Sequence, residues 1–372
     1  MMIVSLINHF LILFFLVSCA QLKLQKIEKP KNQLKVIWNK NLDPIYEAGN
    51  LPISSHSPLL FQDLVFVGDL RGFFSVFNLE NGREIWKVKE TAAIVSTPVI
   101  SQDQVIYGTK MGRLFSRHYF TSELKWSLEL GESIEGQPFV YQDRLFVYVR
   151  DHRLVCLDVS TGKLLWSYQR SVPFTTTFQR VAPLIGYQNS VIVGFADGFI
   201  AALSVNEGLV TWETKVNFST RFVDVDSRPL ILNDKLVVTS GTMDLTFLNL
   251  NSGEIIKTLP YQSFTSPLFV NNEIIIGSVD GQIVRLDQDG QVVYQSQIST
   301  EAISSIAELD GKISASSYKG ELFLLDAKSL TIFDKFMLGS YTHSNIFGQI
   351  STQQNYLGIL SSRSRLYLMN TL

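Results

Sequence analysis

The sequence QPFVYQDRLFVYVRDHRLVCLDVSTGKLLW, residues 137–166, reads as three or four short strands separated by tight turns. Polar pairs at Gln142-Asp143 and Asp151-His152, and the Ser-Thr-Gly turn at 160–162, interrupt runs rich in Val, Leu, Phe and Tyr. Turn residues that recur every 8–12 residues or so between such runs are typical of strands joined by hairpins. This stretch therefore predicts an antiparallel sheet whose last strand carries Trp166.

The same pattern recurs along most of the chain. Prolines that open an apolar run are spaced by 40, 40, 45, 46 and 38 residues, at Pro58, Pro98, Pro138, Pro183, Pro229 and Pro267. Most of these units end on an aromatic residue, namely Trp86, Trp126, Trp166, Trp212, Tyr294 and Phe333. A period of about 40 residues fits a four-stranded propeller blade. The closing aromatic rings are expected to pack against the neighbouring blade rather than to bind a ligand.

The two ends of the repeat array complete each other. After seven units, the C-terminal residues supply three strands and then stop, whereas Val36-Ile37-Trp38 has the ending of a unit with no unit before it. An N-terminal strand that completes the C-terminal blade closes a propeller into a ring and removes the exposed sheet ends of an open array. The sequence therefore predicts an all-β fold, an eight-bladed β-propeller of four-stranded antiparallel blades over residues 35–372. A solenoid of hairpins is the competing architecture.

Composition limits the classes of partner and of chemistry. The chain has 372 residues, of which 46% are hydrophobic and 18% charged, with 32 basic against 34 acidic side chains. This balance gives no overall positive field and predicts no nucleic-acid partner. The chain has two cysteines. Cys156 lies on a predicted strand and is expected to be a small core residue without a disulfide partner.

The N-terminal segment resembles a bacterial lipoprotein leader. Residues 1–18 are almost continuously apolar, and Leu16-Val17-Ser18-Cys19 resembles the lipobox. The resemblance implies a signal peptide over residues 1–18, lipidation of Cys19, and a polar, Lys-rich tether over residues 19–34. Gln21 follows the sorting pattern for the outer membrane. A plain membrane anchor is the alternative, because the leader contains no Lys or Arg.

The turn pattern of the units resembles the quinoprotein propeller repeat. It is seen in Asn81-Gly82 before Trp86, in Thr161-Gly162 before Trp166, and in Asp289-Gly290 before Tyr294. A quinoprotein dehydrogenase would need a calcium and quinone site, and often two adjacent cysteines, and it would carry long insertions. This chain has neither adjacent cysteines nor long insertions, and its five histidines are scattered. The sequence therefore predicts no cofactor, no metal site and no enzymatic activity.

One loop resembles a family more specifically. Residues 221–229, RFVDVDSRP, are similar to the Arg-x-x-Asp-Val-Asp-x-x-Pro run of the BamB family, the propeller lipoproteins of the outer-membrane β-barrel assembly machinery. The resemblance implies that Arg221, Asp224 and Asp226 contact the central barrel protein BamA from an exposed rim. The alternative is that the two carboxylates only cap a turn. A second contact region of the family falls near Phe178 and Arg180.

The resemblance implies a non-enzymatic scaffold that faces the periplasm, anchored to the outer membrane by lipid. Its partners would be BamA, the other subunits of the assembly complex and nascent outer-membrane proteins, with the chain present as a monomeric propeller within that complex. Two alternatives remain: another envelope lipoprotein propeller that binds a protein or polysaccharide, and a degenerate quinone-dependent dehydrogenase.

Overall fold

The computed structural model describes residues 33–45, 56–172, 182–339 and 344–371. Within these ranges the chain forms 32 β-strands in eight sheets, each with four antiparallel strands. We number the sheets as blades 1 to 8 in chain order. No helix in the described ranges is long and apolar enough to cross a bilayer.

Blades 1 to 4 follow one another in the chain. Their strands are β2 Leu59–Phe61, β3 Leu64–Gly68, β4 Phe73–Asn78, β5 Glu84–Lys89; β6 Val99–Ser101, β7 Gln104–Gly108, β8 Arg113–His118, β9 Leu124–Glu129; β10 Phe139–Tyr141, β11 Arg144–Val149, β12 Arg153–Asp158, β13 Leu164–Gln169; β14 Ile185–Tyr187, β15 Ser190–Gly194, β16 Phe199–Ser204 and β17 Val210–Lys215. The four strands predicted around residues 137–166 are therefore confirmed, and the last one extends to Gln169.

Blades 5 to 8 repeat the arrangement. Their strands are β18 Leu230–Leu232, β19 Lys235–Ser240, β20 Met243–Asn249, β21 Ile255–Leu259; β22 Leu268–Val270, β23 Glu273–Gly277, β24 Gln282–Leu286, β25 Val292–Gln297; β26 Ile303–Leu309, β27 Lys312–Ser317, β28 Glu321–Asp326, β29 Ile332–Met337; β30 Ser351–Gln353, β31 Tyr356–Leu360, β32 Arg365–Thr371, and the N-terminal β1 Leu34–Asn41. First strands of neighbouring blades approach one another, as in β2 with β30, so they lie innermost.

Closure of the ring follows from pairing and from packing. Strand β1 pairs antiparallel with β32, from Leu34 opposite Thr371 to Asn41 opposite Arg365. The core consists of eight apolar clusters, and each one fills the space between two consecutive blades. One of these clusters joins blade 8 to blade 1. The predicted eight-bladed propeller, with its N-terminal strand in the last blade, is confirmed.

The closing tryptophans lie between blades, as predicted. A Cβ built on Gly82 of blade 1 would come within 2.8 Å of the Trp38 ring of blade 8. The φ of Gly82 is also 67°, so glycine is needed there for both reasons. The indole N–H of Trp38 donates to Leu79 O at 2.8 Å, and Trp166 donates to Val205 O of the next blade at 2.9 Å. The Trp38 and Trp166 rings therefore each join two blades by packing and by one hydrogen bond.

Trp126 departs from this hydrogen-bond pattern. Its indole N–H has no acceptor among the described residues. The corresponding carbonyl, Val159 O, accepts instead from the side chain of Gln104 at 3.0 Å. Gln104 is 2% exposed, so its amide needs partners inside the protein. Trp126 therefore fastens blades 2 and 3 by packing alone.

Cys156 is a core residue, which confirms the prediction. It is fully buried in the cluster between blades 3 and 4, and it is a free thiol. Burial raises the pKa of the Cys156 thiol to about 11, although Arg144 acts in the opposite direction. We expect less than about 1% thiolate at pH 8, because the pKa lies roughly three units above that pH. A disulfide reagent should therefore label Cys156 only in the unfolded protein, and rapid labelling under native conditions would contradict this.

His56 makes stability depend on pH. It is 2% exposed, and its Nε2 lies 3.0 Å from Gly68 O. Burial lowers the pKa of His56 from 6.5 to about 4. The unfolded chain therefore takes up a proton at a higher pH than the folded protein does. The contribution of neutral, buried His56 to the free energy of unfolding is complete above pH 6.5. It is lost as the pH falls from 6.5 to about 4.

We expect this proton uptake to lower the free energy of unfolding by about 3 kcal/mol at pH 4, at 1.36 kcal/mol for each pKa unit. Urea unfolding at pH 7, 6, 5 and 4 measures it. His56→Gln keeps a side-chain N–H for the Gly68 carbonyl but cannot titrate. The free energy of unfolding of His56→Gln should therefore change less with pH than that of the wild type between pH 6.5 and 5. Equal slopes in the two proteins would show that His56 is not responsible.

Candidate partner-binding surface

The loop between β17 and β18, residues 216–229, is fixed at its start by buried polar groups. Asn217 is fully buried, and its Nδ2 donates to Thr242 Oγ1 at 3.0 Å. The Asn217 side-chain oxygen accepts from Ser219 N at 3.0 Å, and Ser219 Oγ donates to Thr242 O at 2.7 Å. The turn at 217–219 is therefore attached on both sides to blade 5.

The second half of the loop is fixed to blades 4 and 5. Val225 N donates to Phe195 O at 3.1 Å, and Ser240 Oγ donates to Asp224 O at 2.8 Å. Phe222, two residues before Asp224, has a φ of 54°, in the left-handed region. Such a conformation in a bulky residue costs about 1–3 kcal/mol and persists only where the surroundings impose it. The loop is therefore ordered before any partner arrives.

This ordered loop exposes one aromatic and one cationic side chain. Phe218 is 71% exposed, and Arg221 is also exposed. Lys215 Nζ lies 5.6 Å from the centre of the Phe218 ring, which adds positive charge beside it. Aromatic and arginine side chains contribute most to binding at protein interfaces. We call Lys215, Phe218 and Arg221 the loop surface.

Asp224 and Asp226 occupy different environments. Asp226 is half-buried, but Asp224 is only 1% exposed. The expectation of two exposed rim carboxylates is therefore wrong for Asp224. The reason is that Val225 packs into the core between blades 4 and 5, which draws Asp224 inward beside it. Any role of these two carboxylates and of Arg221 in binding stays a prediction.

Asp224 lies among buried groups at the turns of blades 3 and 4. Burial, followed by the charges of Asp197 and Asp224 among others, raises the pKa of Tyr148. The Tyr148 hydroxyl lies 3.2 Å from His152 Nδ1. Burial lowers the pKa of His152, while the nearby carboxylates, Asp224 among them, act in the opposite direction. Asp224 is therefore one of the charges that act on Tyr148 and His152 of blade 3.

Arg170 stabilises the same region from the end of β13. Its guanidinium donates to Asp197 at 2.6 Å and to Glu213 at 2.8 Å, and it stacks 4.6 Å from the Phe195 ring. Burial acts to lower the pKa of Arg170, but these hydrogen bonds outweigh it and the pKa is raised. Arg170 thereby joins blades 3 and 4 directly before residues 173–181.

Three of the predicted site residues, Cys19, Phe178 and Arg180, lie outside the described residues. The structure adds Phe218, which the sequence reasoning missed. A signal existed, because NFSTR at 217–221 places one aromatic residue in a polar stretch after the last strand of a blade. Among the described residues, no group of three His, Cys, Asp or Glu side chains is arranged to hold a metal ion.

Comparison with known proteins gives the family. The sequence profile of the family described as outer membrane protein assembly factor BamB matches residues 32–119 and 72–297. The BamB of Legionella pneumophila is 32% identical over 309 residues, which cover 81% of this chain and 80% of that protein. The BamB of Shewanella oneidensis is 22% identical over 293 residues, 77% of this chain but only 63% of the relative's length.

Solved structures agree in fold. BamB from Moraxella catarrhalis superposes with a TM-score of 0.75 at 18% identity, covering 91% of this chain and 99% of that one. A europium-containing methanol dehydrogenase superposes with a TM-score of 0.68 at 12% identity, covering 93% and 95% of the two chains. At such identities the likeness concerns the fold alone, and the assignment rests on the sequence matches. The chain belongs to the family of the outer membrane protein assembly factor BamB.

Proposed function

We propose that this chain is a non-enzymatic scaffold, anchored by lipid to the periplasmic side of the outer membrane, which binds BamA and assists the assembly of outer-membrane β-barrel proteins. Family membership supports the general role. The observation that carries the binding proposal is the ordered loop, which presents Phe218 and Arg221 to solvent at the motif shared with the family.

Arg221, Asp224 and Phe218 have different roles in the proposed binding. Arg221 is exposed and can pair with an acidic group of BamA, which favours encounter and orientation more than affinity. Asp224 is buried, and its carbonyl accepts from Ser240 Oγ of blade 5, so it belongs to the fixed part of the loop. Exposed ion pairs contribute only about 0–1 kcal/mol each. Phe218 therefore supplies much of the binding free energy.

Co-purification tests this proposal. We expect BamA to co-purify with the full-length chain from detergent-solubilised envelopes, and to be lost with Asp224→Arg/Asp226→Arg. Arg221→Glu should weaken capture without altering the fold, and it should reduce the dependence of association on salt. Glu207→Arg, an exposed charge reversal on the β16–β17 turn, is the matched control. Failure of BamA to co-purify with the wild type would refute the binding proposal and would favour another envelope partner.

The proposed anchor needs a separate test. We expect labelled palmitate to be incorporated into the wild type, and the protein to fractionate with the outer membrane. Cys19→Ser should incorporate no label, and its retention by the outer membrane should fall to the part that binding to BamA provides. Three acyl chains hold a protein stably at a bilayer, since each buried CH₂ contributes about 0.8 kcal/mol. Incorporation of as much label into Cys19→Ser as into the wild type would refute lipidation at Cys19.

A further inference from the structure

The innermost strands of a propeller surround a central channel. One residue from each blade occupies an equivalent position at the start of this channel. In most blades this residue stands two positions before the innermost strand. In blade 7 it lies within the innermost strand, β26, which is longer. We call these residues the channel ring: Ser57, Thr97, Gln137, Pro183, Arg228, Ser266, Ser305 and Gln349. None of them belongs to the loop surface.

Hydrogen bonds between neighbouring blades hold the channel ring in place. Ser57 N donates to Thr97 Oγ1 at 2.8 Å, and Gln349 N donates to Ser57 Oγ at 2.7 Å. Arg228 N donates to Ser266 Oγ at 3.0 Å. Backbone groups and hydroxyls of adjacent blades are thus already satisfied by one another. Apart from the apolar Pro183, the ring consists of neutral polar residues at every position except one, and two of these, Ser57 and Ser305, are buried.

The exception is Arg228. Its side chain is exposed, and its guanidinium carbon lies 6.0 Å from the centre of the Phe139 ring in blade 3. Arg228 belongs to blade 5, so the side chain reaches past blade 4 along the inside of the ring. Among the described residues, Arg228 makes no ion pair with a carboxylate.

The Arg228 side chain is exposed to solvent and is also partly desolvated by the protein around it. Surrounding protein lowers the pKa of Arg228 through desolvation, although the side chain remains accessible to solvent. A side chain within a narrow water-filled channel has both properties. Arginine stays protonated in proteins at physiological pH. The channel therefore contains a fixed positive charge that the described residues do not neutralise.

Apolar surface lies close to this charge. Phe139, on the innermost strand β10, is half-buried beside the guanidinium. The channel thus combines a cation with aromatic surface, on a ring of fixed neutral groups.

We propose that the channel ring binds an organic carboxylate, with Arg228 as its cationic ligand and an aromatic or apolar body against Phe139. Guanidinium and carboxylate form two parallel hydrogen bonds, which gives such a site both strength and orientation. The carboxylate could belong to a free organic acid or to the C-terminus of a peptide, since both present the same group. Arg228 lies in the same loop, residues 216–229, as the loop surface proposed to bind BamA, but it is not one of the residues of that surface.

Titration calorimetry on the full-length protein in detergent tests the site. The probes are benzoate, its neutral analogue benzamide, inorganic phosphate, and the tripeptide Ala-Ala-Tyr with a free or an amidated C-terminus. We expect benzoate to bind and benzamide not to. Arg228→Met should weaken benzoate binding about 10- to 100-fold, because a hydrogen bond to a charged group contributes about 1.5–3 kcal/mol. If the tripeptide acid binds more tightly than benzoate, the source is a peptide C-terminus; the reverse order indicates a free acid.

Arg83→Met is the matched control, since Arg83 is exposed at the turn before β5 and lies outside the channel ring. Thermal unfolding of each variant verifies that it is folded. Absence of benzoate binding to the wild type, or equal binding to Arg228→Met, would overturn the proposal. Equal binding of benzamide would overturn the role of the charge, and tighter binding of phosphate would overturn the role of the aromatic surface.

Discussion

Phe218→Ser is expected to weaken the binding of BamA roughly 30-fold while the propeller stays folded. The side chain is 71% exposed in the free protein, so a partner that covers it gains the free energy of burying most of its apolar area. Central aromatic residues of an interface typically contribute about 2 kcal/mol or more, and 1.4 kcal/mol corresponds to a tenfold change in Kd. The loop is already ordered, so little of this binding free energy is offset by a loss of loop entropy on binding.

The fold should tolerate this change because the backbone around Phe218 is held by its neighbours. Asn217 and Ser219 make the hydrogen bonds to Thr242, and the Phe218 ring belongs to no core cluster. Leu209→Ser is the matched control, since Leu209 is 63% exposed at the turn before β17. Biolayer interferometry with the periplasmic part of BamA gives the Kd values. Wild-type affinity of Phe218→Ser, or an equal loss in Leu209→Ser, would show that the loop surface is not the contact.

The fold could be predicted because each blade repeats the same physical solution. Alternating strands, turns with positive φ and a closing aromatic recur with a period of about 40 residues, so errors in one unit are corrected by the others. The isolated Trp38 near the N-terminus indicated closure for the same reason. The detail at Trp126 could not be predicted, because it depends on Gln104, a residue 22 positions earlier that takes the expected acceptor.

The candidate site could be predicted only in part, because the loop at 216–229 has no repeating pattern. Sequence resemblance located the segment, but it could not tell that the backbone turns Asp224 inward and leaves Arg221 in solvent. That orientation is set by contacts with Phe195, Ser240 and Thr242, which belong to two other strands and the turns beside them. Phe218 was missed for the same reason.

Trp38→Ala is expected to lower the free energy of unfolding by about 3 kcal/mol, the lower end of the range for truncation of a buried tryptophan, because the Trp38 side chain is partly buried. Trp38 lies on β1, which is held in blade 8 by pairing with β32 at the other end of the chain and not by a turn within that blade. Its ring covers Gly82 and lies 6.0 Å from that of Phe77, and its N–H donates to Leu79 O. The substitution removes all of these contacts between blades 8 and 1.

Three further variants separate the effect of closure from that of packing between blades in general. Trp38→Phe keeps an aromatic ring but loses the hydrogen bond, so it should cost about 1 kcal/mol more than Trp126→Phe, whose indole N–H has no acceptor among the described residues. Trp126→Ala should cost less than Trp38→Ala, because the Trp126 indole N–H has no acceptor among the described residues and β9 is joined by a turn to β8 of its own blade. Urea unfolding at pH 7 measures all four. If Trp38→Ala costs no more than Trp126→Ala, the contact at the closure contributes nothing beyond ordinary packing between blades, and closure rests on the β1–β32 hydrogen bonds alone.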